Sequence, residues 1–171
     1  VVNIVDDGKA SWQIVDQTLY IRCEKGRVIK GDLGEQGKMP WSEAGALVTK
    51  VVMDADLQSD SMAFWFSFMG RLVDIEDAFI PDGCKDVNRV VVGTGIERVP
   101  SGFVLPDSVR GVSGMFAICP SLRTLPEGFT LGNVADPADG TLHPNADLSI
   151  VADLSYVFQA CSSLEALPEG F

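Results

Sequence analysis

Histidine is all but missing from this chain: one residue, His143, in 171. A Ser–His or Cys–His dyad would have to be built around that single side chain, which sits beside Pro144 in a stretch rich in Pro, Gly and Asp. No Gly-x-Ser-x-Gly nucleophile elbow accompanies it. It reads as a solvent-exposed loop residue, and with no convergent acid, base, nucleophile or metal set elsewhere the chain reads as a non-enzyme. Bases are scarce as well, 13 against 24 acids, for a formal charge of −11. That balance repels phosphate backbones and anionic lipid, so nucleic acid is not an expected partner. Apolar runs stay far below the roughly 18 to 20 residues of a membrane helix, so no membrane insertion is expected. Four cysteines are too few for a disulfide scaffold. The chain opens on Val1 with no basic, apolar leader, consistent with a processed secreted protein or a trimmed chain.

What is present is a core and a repeat. Hydrophobic residues make up 46% and charged ones 22%, enough for one well-buried domain, or for one domain with a smaller attachment. "MFAICPSLRTLPEGF", Met115 to Phe129, returns as "VFQACSSLEALPEGF", Val157 to Phe171, and an earlier copy with few identities is "WFSFMGRLVDIEDAF", Trp65 to Phe79. In the first copy Met62, Trp65, Phe66 and Met69 precede Leu72, Ile75 and Phe79. In the second Val112, Met115, Phe116 and Cys119 precede Leu122, Leu125 and Phe129. In the third Leu154, Val157, Phe158 and Cys161 precede Leu164, Leu167 and Phe171.

The leading four fall at i, i+3, i+4 and i+7, the spacing of one face of a short helix, and the trailing three fit a brief strand and its bend. Between the first two copies, "IERVPSGF" repeats only the strand half with Ile96, Val99 and Phe103. Its helix half is degenerate, because Asp86, Arg89 and Gly93 occupy the apolar positions. The period is about 25, once "ADPADGTLHPNADLSI" is set aside as a loop insertion near 135–150. A period of this length with Leu-x-x-Leu spacing belongs to the leucine-rich repeat class, in which each unit is its neighbour's packing partner. The expected fold class is therefore α/β, a leucine-rich repeat solenoid with a short helix and a short strand per unit. Its structural ladder is Phe66, Leu72, Ile75, Phe79, Val99, Phe103, Phe116, Leu122, Leu125, Phe129, Phe158, Leu164 and Leu167.

Residues 1–60 lack the repeat. "SWQIV" and "TLYIRC", separated by Asp16 and Gln17, read as a β-hairpin. A glycine-rich loop follows, then one helical turn in "WSEAGALV" and a strand in "TKVVM". The expected organisation is a β-rich N-terminal cap over 1–60 and a repeat array over 61–171.

"MFAICPSLRTL" and "VFQACSSLEAL" resemble the Met-Phe-x-x-Cys-x-Ser-Leu-x-x-Leu repeat of the BspA-like leucine-rich repeat surface proteins of host-associated bacteria and some protists. "WQIVDQTLYIRCEKG", "GKMPW" and "TKVVM" are similar to the stretch that often precedes such arrays. The resemblance implies a solenoid displayed outside the cell and used for binding or adhesion, without catalysis or cofactor. Met69 in place of the Cys, the degenerate second unit and the insertion are departures from the pattern.

Other residues admit a plain and a sharper reading. Cys119 and Cys161 fit small core positions, the alternative being a disulfide or a reactive thiol; Cys23 and Cys84 lie outside the ladder. Asp54, Asp56 and Asp60 in "DADLQSD" echo a calcium loop but lack its central glycine, and Trp65 stands where the bidentate Glu belongs. Strand positions between ladder residues stack Val73, Glu97, Arg123 and Glu165 in one column and Asp74, Arg98, Thr124 and Ala166 in the next. Beyond them lies an acid-rich column of Asp77, Ser101, Glu127 and Glu169. They form either a solvated face or a binding strip centred on Arg98, Arg123, Glu127 and Glu165. The expected function is a cell-surface or secreted recognition module for an extracellular protein or glycan, the alternative a structural spacer in a longer surface protein. The closing strand sentence at Phe171 suggests a fragment of a longer array or self-association through the last unit.

Overall fold

The computed structural model describes residues 1–31, 38–106, 108–129 and 155–169. The hairpin forms as the sequence indicates. Strand β1 (Asn3–Val5) pairs antiparallel with β2 (Ala10–Val15), and β2 with β3 (Thr18–Cys23). The two-residue turn places Asp16 at φ 47° and Gln17 at φ 64°, the doubly left-handed geometry that matches the twist of paired strands. Leu19 and Ile21 point inward while Arg22 is exposed, the period-two alternation of a sheet with one covered face. Strand β4 (Val28–Ile29) follows, then a 3-10 helix, Ser42–Leu47, at the expected helical turn.

Strand β5 (Lys50–Met53) lies parallel to β3, and β7 (Asp74–Asp77) parallel to β5, giving a mixed five-stranded sheet of order β1-β2-β3-β5-β7. Strand β6 (Gln58–Ser59) pairs parallel with β4 in a second, two-stranded sheet. The larger sheet draws β7 from the repeat region and its other strands from residues 1–60. Trp12, Trp41, Trp65 and Phe66 form an edge-to-face chain with centroids 6.1, 5.7 and 6.3 Å apart, tying the hairpin to the first repeat.

The expected α/β leucine-rich repeat solenoid, with a helix in each unit, is overturned. The described residues are mainly β and contain no α-helix; their helical content is 3-10, at Asp6–Gly8 and Ser42–Leu47. Where helices were expected the chain makes strings of β-turns. Trp65 N–H donates to Met62 O, Ser67 to Phe64 O and Met69 to Phe66 O. The alternate amides of Met62, Phe64, Phe66 and Phe68 reach across to the carbonyls of Asp86, Asn88, Val90 and Val92 at 2.7 to 3.1 Å. The same alternation joins Val87, Arg89, Val91 and Gly93 to Gly111, Ser113, Met115 and Ala117, and Gly114, Phe116 and Ile118 to Ser155, Val157 and Gln159.

Backbone twist is what prevents a helix. Phe64 and Phe68 have φ of 63° and 57°, and the pair recurs as Arg89/Gly93, Gly114/Ile118 and Tyr156/Ala160. A left-handed residue at every fourth position breaks the i to i−4 ladder. A turn string brings side chains back to one side every three residues, so it buries the same i, i+3, i+4, i+7 set that a helix would.

The degenerate second unit is also corrected. One residue further on, Val87, Val90 and Val91 are buried at the apolar places, and the buried Thr94 takes the fourth with its hydroxyl donating to Val91 O at 2.9 Å. The strand halves are slighter than expected: β7 is a strand, whereas Arg98 and Thr124 form an isolated parallel bridge. In the ladder Phe66, Leu72, Ile75, Val99, Phe103, Phe116, Leu122 and Phe129 are buried. Phe79, Leu125, Phe158 and Leu164 are half-buried, and Leu167 is exposed. Leu154, the insertion near 135–150 with His143, and Phe171 lie outside the described residues.

Candidate recognition surface

The side chains expected to bind sit beyond β7, the edge strand of the larger sheet. Thr49 O accepts from the amides of Val73 and Asp74, which holds β7 against β5. Further along, Arg123 N–H donates to Glu97 O, Val99 N–H to Thr124 O, and Glu165 N–H to Arg123 O. Backbone pairing thus carries the charged positions from β5 to β7 and from Glu97 through Arg123 to Glu165, and the Arg98–Glu76 ion pair bridges the two groups.

Along this outer face acids and bases lie side by side. Lys50 Nζ lies 2.7 Å from Asp77 and 3.4 Å from Asp74, and the hydrogen bond to Asp77 raises its pKa above the ordinary lysine value. Arg98 meets Glu76 at 2.6 Å, and Arg123 meets Glu165 at 4.0 Å. Between β7 and Arg98 lies a depression of about 260 Å³ lined by Val73, Asp74, Ile75, Glu76, Arg98 and Pro100. Of the four residues singled out, the structure brings Arg123 and Glu165 together, takes Arg98 to Glu76, and leaves Glu127 exposed in a turn. Glu76 and Lys50 were missed. Their partnership depends on β7 docking beside β5, which no local spacing announces.

Solvent-exposed ion pairs are worth about 0 to 1 kcal/mol each, so these pairs neither fix the fold nor resist exchange for a partner's charges. The arrangement offers positional recognition by charge and a shallow hollow.

The remaining polar candidates serve the fold. Asp54 accepts the Cys23 amide at 3.2 Å, Asp60 accepts the Gly31 amide at 2.8 Å, and Asp56 lies 3.8 Å from Lys25. The three carboxylates lock separate chain crossings rather than converging, and among the described residues no group of three metal-ligating side chains gathers. All four cysteines are free thiols. Burial pushes Cys84 up to about 11 and also raises Cys119 and Cys161. Held as thiols, Cys119 and Cys161 repeat one hydrogen bond, from Sγ to the carbonyls of Val91 and Phe116 in the preceding segment, at 3.2 and 3.0 Å. No backbone N–H among the described residues reaches those two carbonyls. The repeated cysteine is thus a small donor, buried at Cys119 and half-buried at Cys161.

No protein-family model matches the chain, and no curated protein matches it. Among solved structures, a leucine-rich repeat protein from Eubacterium ventriosum is similar over 80% of this chain and 46% of its own, at 11% identity and a TM-score of 0.37. The chain spans less than half the length of that protein. The likeness reaches a leucine-rich repeat protein in general, not the BspA-like family, and is too distant to support an argument about function.

Proposed function

We propose that the chain is a non-enzymatic recognition module of a cell-surface or secreted protein, holding an extracellular protein partner against the strip of Arg98, Arg123, Glu127 and Glu165. The observation that carries the reading is a row of both signs of charge, Lys50, Glu76, Arg98, Arg123 and Glu165, set on neighbouring segments joined by backbone hydrogen bonds and by the Arg98–Glu76 ion pair. Backbone pairing and the Arg98–Glu76 contact hold those charges in a set order, which favours a partner of matching pattern and rejects others by like-charge contact. The extracellular setting and the BspA-like affiliation rest on the wording of the repeat, not on a helix-and-strand architecture.

One observation favours the spacer reading instead: Arg98 and Arg123 are already matched within the chain. Label-free binding to a panel of extracellular-matrix proteins separates the two readings. A recognition module gives a saturable response that falls at least tenfold when Arg98, Arg123, Glu127 and Glu165 are all replaced with alanine, and that weakens as salt rises. Binding unchanged by the fourfold replacement removes the strip. A folded protein that binds none of the panel favours the spacer.

A further inference from the structure

The left-handed positions of the turn strings carry the wrong residues for stability. Glycine or asparagine would sit there with little strain, as Gly93 and Gly114 do. Yet Phe68, Ile118 and Tyr156 occupy such positions at φ 57°, 55° and 63° while remaining 68%, 48% and 59% exposed. Each incurs backbone strain without the reward of burial, and for a β-branched residue such as Ile118 the conformation is a genuine outlier. The turn strings impose the conformation, and what packing leaves unexplained is the choice of large apolar side chains at its exposed places, which points to function.

Phe68 and Ile118 take the same place in their strings as Gly93 and Ala160, and Tyr156 takes the left-handed place four residues earlier, in line with Phe64, Arg89 and Gly114. The Phe68 ring lies against the bare backbone of Gly93, where a Cβ would come within 2.7 Å of it. The Arg89 stem lies against Gly114, and its guanidinium sits 5.7 Å from the Phe64 ring centre. Both glycines are floors on which a neighbour's large side chain is spread.

Charge narrows the occupant. In a chain with 24 acids, the four turn strings over 63–68, 88–93, 113–118 and 155–160 contain none, and their one charged residue is Arg89. The polar side chains within the strings are neutral, Ser67, Asn88, Ser113 and Gln159, and Ser67, Asn88 and Ser113 hydrogen-bond to the next segment. A basic protein patch finds no counter-charge here. Four neighbours at about 4.8 Å each make a platform roughly 15 Å long. That spacing is close to the length of one pyranose residue.

We propose that this turn face binds a linear, uncharged glycan laid across the segments, with Phe68, Ile118 and Tyr156 as its apolar platform. The surface is distinct from the charged strip and stands or falls without it.

Affinity electrophoresis through gels containing neutral gluco-, manno-, galacto- or xylo-polysaccharides, with heparin as an anionic comparison, tests the proposal. At least one neutral polysaccharide retards the protein, equally at low and high salt. Phe68→Asn with Ile118→Asn weakens retardation at least tenfold, while Arg98→Ala with Arg123→Ala leaves it unchanged. Asparagine tolerates the left-handed conformation, so the double asparagine variant melts no lower than the parent, which excludes misfolding as the cause. Phe68→Ala alone gives a smaller loss. The proposal is overturned if no neutral polysaccharide retards the folded protein, or if heparin alone does so and salt abolishes it. It is equally overturned if the asparagine variant binds as the parent does, or if that variant instead abolishes a concentration-dependent rise in mass, which would make the occupant a second copy of the chain.

Discussion

Replacing Phe116 with alanine is expected to cost about 3 to 5 kcal/mol, the usual range for truncating a large buried aromatic residue. Phe116 is fully buried. Its ring stacks on Phe158 with centroids 5.6 Å apart and planes 2° from parallel, and meets Phe129 edge-on at 5.8 Å. Its amide donates to Val157 O, and its carbonyl accepts the Cys161 thiol. One side chain therefore fills the space between two neighbouring segments, and the stacked backbone on either side cannot collapse into the void without breaking its own hydrogen bonds. Urea unfolding should show the loss as a lower midpoint at unchanged slope. A loss under 1 kcal/mol would mean that the ring does not lie between the segments.

Trp41→Ala is expected to be at least as damaging, by a different route. Trp41 is fully buried between Trp12 and Trp65, and its Nε1–H donates to Trp65 O at 2.7 Å. Truncation removes about 3 to 5 kcal/mol of packing. It also strands the Trp65 carbonyl, a penalty of about 1 to 3 kcal/mol that overlaps with the first. Trp41→Phe divides the two effects: it keeps a ring in the chain of aromatics and loses the donor, so about 1 to 3 kcal/mol should disappear. Equal losses in the two variants would show that packing contributes nothing at this position.

Much of this was legible in the residues, and the failures have definite causes. The hairpin could be read because two apolar, β-rich runs flank a two-residue gap, and a gap of that length admits few backbone solutions. The repeat could be read because stacking demands an apolar residue at the same place in every unit. The conformation of the unit could not, since successive β-turns and an α-helix return side chains to one face at nearly the same interval. What separates them is the sign of φ at 64, 68, 89, 93, 114, 118, 156 and 160, and the sequence marks it with glycine only at 93 and 114. The second unit escaped because it is one residue short between Thr94 and Ile96, which displaced the alignment onto Asp86, Arg89 and Gly93. The charged strip was visible as columns, but Arg98's partner Glu76 belongs to a strand whose position is set by β5. The turn face left no trace, because its defining residues look like the polar side of a helix interrupted by stray apolar ones.

Both proposed binding faces exist only if the repeated segments stack as turn strings, and amide hydrogen exchange read by NMR measures that directly. The structure predicts protection of the Phe64, Phe66 and Phe68 amides, which donate across to Asn88, Val90 and Val92, together with positive φ from coupling constants at Phe64, Phe68 and Ile118. Helical carbon shifts through 63–69 with negative φ at Phe64 and Phe68 would contradict the account and dismantle both faces at once.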